Sequence, residues 1–337
     1  MPICAVMIPF SVLDLAPIAQ GSHAGRALNN ALDLARLAER LGFNRFWMAE
    51  HHSMPGIASA ATAVGLAYVG AGTSRIRIGA GGVMLPNHAP LIIAEQFGTL
   101  ESLFPGRVDL GLGRAPGTDQ AAAYAMRRNL NSDQNQFPRD VVELMDYFAD
   151  GAPGKRVRAI PGEGLKIPVW ILGSSLFGAQ LAGMLGLPYA FASHFAPAQM
   201  MEAIEVYRHR FEPSEQLEKP YVMLGYNVFA ADGEEEAHLL ATSMQQAFVN
   251  LRTGNAGQLP PPVPGYLESL PPSSRAMLDQ VLSCSAIGTR EQVGAQIARF
   301  VETTGADELM ITSQIFDHDA RLRSYEITAE ATGLSPR

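Results

Sequence analysis

The stretch RIRIGAGGVMLPNHAPLIIAEQFGTLESLFPGRVDLGLGR, residues 75–114, decides the fold. It opens with a β-type run at 75–84, passes through a helical pattern at 90–103 and returns to a β-type run at 108–113. Pro90 suits the first turn of that helix, where an N–H would have no partner to lose. Strand, helix and strand in so short a span read as a βα unit, the element of a parallel sheet.

The same alternation extends both ways. Upstream, a strand is predicted at 3–9. Leu28, Ala31, Leu32, Ala35, Ala38 and Leu41 then recur at three- and four-residue steps, with Gly42 as the stop. A strand at 43–49 and a helix at 59–72 follow. Downstream, a helix at 139–147 lies inside a Gly/Pro-rich excursion. Strands are predicted at 168–172, 189–194, 222–230 and 308–312. Helices are predicted at 175–185, 197–211, 234–250, 290–303 and after Asp319. Eight strand–helix units in 337 residues imply a single-domain α/β protein over 1–337, a (β/α)8 TIM barrel with insertions near 117–164 and 254–272. The alternative is a doubly wound open sheet. The proline-rich 254–272 insertion is a candidate lid.

Composition narrows the function. Twenty-five basic against 33 acidic residues give a net charge of −8 with no basic run, a poor match to nucleic acid. Cys4 and Cys284 are the two cysteines, too few for a disulfide framework, so a reduced, cytoplasmic setting is expected. The apolar start is cut by Pro9 and Pro17 and lacks a basic leader, so no export signal is read. The stretch at 58–72 is too short to span a membrane; it reads as a helix packed closely on a sheet.

A parallel barrel gathers function at the C-terminal ends of its strands. Glu50, His51 and His52 follow the second strand. Gly81 and Gly82 fall late in the third, with Asn87 and His88 beyond. Arg114 follows the fourth, Ser174 and Ser175 the fifth, and His194 ends the sixth. The glycine and two serines at 173–175 open a helix directly after a strand, an arrangement whose free N–H groups suit a phosphate, although serine also caps helices as a matter of course. Arg114 on the same rim can pair with phosphate bidentately, or form a structural ion pair. His51 or His52 can serve as acid or base near neutral pH, or be hydrogen-bonded at the rim. Adjacent histidines point in different directions, so no metal is expected. GLGRAPG at 111–117 has GxGxxxG spacing and a proline where the helix should start, so it is no dinucleotide fingerprint.

Together FWMAEHH (46–52), residues 75–114, VWILGSSLFGAQLAGMLGLPYAFASHF (169–195) and ELMITSQIFDHDARLRSYE (308–326) resemble the bacterial luciferase-like flavin-dependent monooxygenases, and specifically their uncharacterised single-subunit branch. The resemblance implies a TIM barrel that binds reduced FMN and uses O2 to oxygenate a small-molecule substrate. It also implies a separate NAD(P)H:flavin reductase as flavin supplier and a homodimer. It assigns His51 as the active-site histidine. Arg114, Ser174, Ser175 and Gly178 become the phosphate site, and Gly81–Gly82 a non-prolyl cis peptide beside the flavin ring. Light-producing members carry an acidic residue where Ser174 stands, a threonine where Gly178 stands and a reactive cysteine where Gly113 stands. Asn87, His88 and His194 are candidate substrate contacts. A deazaflavin-dependent dehydrogenase and a flavin-binding protein without turnover are the alternatives.

Overall fold

The computed structural model describes residues 8–114, 125–126, 136–151 and 156–335. Its nine strands are β1 (Phe10–Asp14), β2 (Arg45–Met48), β3 (Arg77–Met84), β4 (Val108–Gly113), β5 (Val169–Gly173), β6 (Tyr189–Phe191), β7 (Val222–Ala230), β8 (Ser285–Gly288) and β9 (Glu308–Thr312). All their pairings are parallel. Eight of them close a ring in the order β1-β2-β3-β4-β5-β6-β7-β9. The seams that close it are Phe10 beside Leu309 and Tyr189 beside Val222. A doubly wound sheet would stay open between these strands. β8 stands outside the ring, paired with the second half of β7 from Asn227 beside Ser285 onward.

The helices are α1 (Ala24–Leu41), α2 (Thr62–Ala71), α3 (Pro90–Leu103), α4 (Phe137–Phe148), α5 (Leu176–Met184), α6 (Met200–Arg210), α7 (Glu234–Arg252), α8 (Tyr266–Ser269), α9 (Pro272–Val281), α10 (Arg290–Thr304) and α11 (His318–Thr332). α1 forms where Ala27, Ala31, Leu34, Ala35 and Ala38 make one buried stripe. Gly42 ends it in the left-handed region, its N–H returned to the carbonyls of Ala38 and Glu39.

Most expected elements stand within a few residues of their predicted bounds. The predicted first strand at 3–9 falls largely outside the described residues, and the observed β1 begins at Phe10. β6 ends at Phe191, so His194 lies three residues beyond the strand rather than at its end. Much of the 117–164 excursion also lies outside the described residues. The 254–272 segment holds α8 and leads into α9. It straps onto the loop after β1, where Leu259 N–H donates to Ile18 O (2.8 Å) and Gln20 N–H to Leu259 O (2.9 Å).

The lumen is filled from the N-terminal end. Arg45 lies between Asp109 (2.8 Å) and Glu308 (2.9 Å), and Arg77 also pairs with Asp109 (2.6 Å). Burial alone would lower the Arg45 pKa, but the two carboxylates outweigh it and raise the value. Above this plug lies an apolar layer of Leu13, Trp47, Trp170, Met223 and Met310, with the two indoles edge to face at 5.2 Å. The C-terminal mouth is left for chemistry.

Candidate functional site

Strand alternation decides what enters the lumen. Trp47 pairs with Gly79, and Gly79 with Asp109, so β3 and β4 turn glycines inward above the indole layer. At Gly81–Gly82 the peptide is cis. Here β3 bulges against β4: Ala80 pairs with Leu110 and Val83 with Leu112, three steps against two. A Cβ on Gly81 would stand 2.8 Å from Leu13 Cδ1, and one on Gly82 2.8 Å from Gly111 O. Gly82 is therefore required by packing against backbone, whereas a side chain at Gly81 would have to displace the end of Leu13. Next to them, at the ends of β4 and β5, the ground is open. A Cβ on Gly113 or Gly173 would meet nothing nearer than 3.7 Å or 3.8 Å.

Arg114 leaves β4 at this edge, exposed, with its guanidinium 4.3 Å from the Phe177 ring centre in the first turn of α5. Among the described residues it has no carboxylate partner; residues 115–124, which follow it, lie outside the described residues. Ser175 is the N-cap of α5 by backbone geometry, yet its hydroxyl makes no capping bond. The capping explanation for this serine therefore fails, and the hydroxyl and the N–H groups of the first turn are left for a ligand. Ser174 is exposed beside it, and Gly178 is buried one turn on, 3.7 Å from Gly173 by its would-be Cβ.

The β2 end carries the other half. Glu50 is buried (4% exposed). Its Oε1 accepts from His52 Nε2 (2.6 Å) and His88 Nε2 (2.7 Å), and its Oε2 accepts from the Met84 N–H (3.2 Å). Burial pushes the Glu50 pKa up, but these three donors outweigh it and hold the carboxyl below its ordinary range. The three side chains lie close enough to share a metal ion. Their contacts are nonetheless those of hydrogen bonds, because ligands on a common ion with bonds of about 2.0–2.2 Å stand roughly 3 Å or more apart. His88 is thus committed to Glu50 by one nitrogen. Asn87 is buried on the 3-10 turn Leu85–Asn87, with its amide toward Met84 Sδ.

His51 is half-buried, and burial is the main cause that pulls its pKa down; Glu50 opposes the shift and His52 adds to it. The imidazole is therefore uncharged near neutral pH. His194 comes from the opposite wall and is near enough to His51 for His51 to oppose its protonation.

The structure thus gathers His51, His88, Asn87 and His194 at one end of the barrel with Gly81–Gly82, Arg114, Ser174, Ser175 and Gly178. Sequence reading named the Glu50–His52 motif without finding the carboxylate's bridging role. Two lumen residues of β7, Gly225 and Asn227, were missed. The alternation within VMLGYNVFA marks them, since Met223 two residues earlier faces the lumen cluster.

Residues 8–308 match the profile of the family described as luciferase-like monooxygenase. A luciferase-like monooxygenase of Escherichia coli K12 is 55% identical over 323 residues, 96% of each chain. The N-acetyl-S-alkylcysteine monooxygenase of Bacillus subtilis 168 is 32% identical over 342 residues, 98% of this chain and all of the other. Among solved structures, apo-MsnO8 superposes with a TM-score of 0.91 at 34% identity, covering 98% of this chain and 100% of that one. The chain belongs to the luciferase-like monooxygenase family.

Proposed function

We propose that the protein is a flavin-dependent monooxygenase that uses reduced FMN and O2 to oxygenate a small organic substrate. The family resemblance implies a separate NAD(P)H:flavin reductase as the source of the reduced flavin. The observation that carries this reading is the open ground at Gly113 and Gly173, with Arg114 and the uncapped start of α5 on one side and His51 at the same mouth.

The residues fit FMN. Arg114, the Ser174 and Ser175 hydroxyls and the first-turn N–H groups of α5 would hold the phosphate, with the helix dipole in support. The side-chain-free edge from Gly81 to Gly113 lets a flat ring approach the backbone. When bound, reduced FMN supplies the electrons that activate O2. His51, kept uncharged by burial, holds or moves a proton at its imidazole nitrogen. Leu13, Trp47 and Met310 seal the lumen from below and exclude water. The 254–272 strap stands over the β1 side as the cover. Thioethers are the first substrates to screen, given what the Bacillus relative is named for.

The test compares FMN with riboflavin, which lacks the phosphate. In Arg114→Ala, FMN should bind roughly tenfold or more weakly, the range of a lost charge-assisted bond, while riboflavin binding stays unchanged. Equal loss for both flavins removes Arg114 from the phosphate role. His51→Ala should retain FMN and release more peroxide per O2 consumed in a reductase-coupled assay. Selective binding of deazaflavin, or FMN binding without substrate-dependent O2 uptake, would replace the monooxygenase reading.

A further inference from the structure

His194 follows β6, which stands four places from β2 in the closed ring, so His194 and His51 enter the mouth from opposite walls. Its ring lies over β7. Along that strand side chains alternate, and Met223 faces the lumen, so Gly225 does too. A Cβ on Gly225 would stand 2.0 Å from Nδ1 of His194 and 3.0 Å from both Cε1 and Cγ. Those carbons are the bonded neighbours of Nδ1. The Nδ1 corner of the ring therefore points into the notch left by glycine, and the opposite Nε2–Cδ2 edge points into the lumen. Phe195 meets the ring edge to face at 4.9 Å, and Asn227 Nδ2 donates to the His194 carbonyl at 2.8 Å. Ring and backbone are both held.

Nδ1 is sealed from solvent and has no hydrogen-bond partner. A proton there would be a buried donor without an acceptor, pressed against the Gly225 backbone. The uncharged ring has one N–H and one bare nitrogen, so the bare nitrogen takes the notch and the proton sits on Nε2. Burial, with the nearby His51 adding to it, pushes the pKa down to about 4, so the ring keeps this form at neutral pH.

We propose that His194 is a specificity residue whose Nε2–H, aimed into the lumen opposite His51, selects substrates that present a carbonyl or sulfinyl oxygen as hydrogen-bond acceptor. The proposal rests on the oxygenase reading of the mouth and adds the chemical class of what binds there. Gly225 is part of the same device, because a side chain at that position would turn the donor away.

The probes are methyl phenyl sulfoxide and isopropylbenzene, two molecules of similar shape of which the first alone has an acceptor oxygen. Wild-type protein should bind the sulfoxide about fivefold or more tightly than the hydrocarbon, the range of one hydrogen bond. His194→Phe should abolish the preference by weakening the sulfoxide alone, and Gly225→Ala should do the same by displacing the ring. In wild-type protein with 15N-labelled histidine, the His194 shifts should show Nε2 protonated and Nδ1 bare. That measurement decides the matter even if a variant fails to fold. Absence of the preference in wild type, its survival in His194→Phe, or a proton on Nδ1 overturns the proposal. FMN titration of the same wild-type sample reads the oxygenase assignment separately: a sulfoxide preference without FMN binding removes that assignment and leaves the donor in place.

Discussion

His194 shows how one buried nitrogen couples the mouth to the stability of the whole chain. An unfolded histidine titrates near 6.5, whereas burial holds this one at about 4. Between those values the unfolded chain binds the extra proton, so stability rises with pH. The contribution is full above about pH 6.5 and drains as the pH falls toward 4. A shift of this size corresponds to about 3 kcal/mol. Wild-type protein should therefore lose stability to urea on going from pH 7 to pH 4.5 more steeply than His194→Phe, by roughly that amount. Parallel curves for the two proteins would mean that the ring is solvated. His51 shifts in the same direction and steepens both curves alike. Glu50 works in the same sense at lower pH: held low by His88, His52 and the Met84 N–H, it is charged at neutral pH, anchors the β2 loop to the end of β3 and loses that contribution as acid protonates it.

At the scale of elements, the C-terminal ends of β1 and β9 are clamped by α11. Arg321 is 2% exposed and donates from NH2 to Asp14 Oδ1 (2.8 Å) and from Nε to Ser313 O (2.7 Å). Removing one partner of a buried pair strands the other charge, which costs about 3–5 kcal/mol. Arg321→Ala should be destabilised by that order in chemical denaturation, and Arg321→Ala with Asp14→Asn should recover part of the loss; no recovery would show that Asp14 is not the stranded charge. Such a clamp is invisible in the sequence, because Asp14 and Arg321 are 307 residues apart and neither sits in a motif. Of the elements it joins, β9 and α11 were legible, whereas β1 starts at Phe10, past the strand expected at 3–9. β4, β7, β9 and α3 have their predicted bounds because each is a strong apolar run with clear turn residues on both sides. β8 was not legible. Its four residues, Ser285–Gly288, are too few to show a period, and its place is set by pairing to β7 rather than by its own pattern. The rim glycines, serines and Arg114 stand at the strand ends where barrel polarity leads one to look. The lumen face of β7 was overlooked because Gly225 carries no side chain to announce it.

At the scale of the molecule, the barrel accounts for where the charge and the apolar surface go. Ionic groups plug the N-terminal end, and at the mouth the charges of Glu50, Arg114 and the Asp14–Arg321 pair stand among histidines, serines and Asn87. Among the described residues no helix is long and apolar enough to cross a membrane. Some apolar surface remains on the outside, part of it on the neighbouring helices α2 and α3. Val64 is 71% and Tyr68 45% exposed on α2, and Ile92 is 47% and Leu103 60% exposed on α3. Single exposed apolar residues are ordinary, but four on two adjacent helices form a patch of the kind that buries itself against a partner. A two-fold pairing of this face with itself is the simplest closed arrangement, since one patch then serves both subunits. The homodimer that the family resemblance implies would use this face of α2 and α3. Light scattering after size exclusion should report a mass near twice 36.2 kDa for the wild type and near one copy for Val64→Glu with Ile92→Glu, with the far-ultraviolet spectrum unchanged. Because both positions lie outside the lumen, FMN affinity should be retained in that variant. A dimer that survives the two charges would move the interface to another face of the barrel.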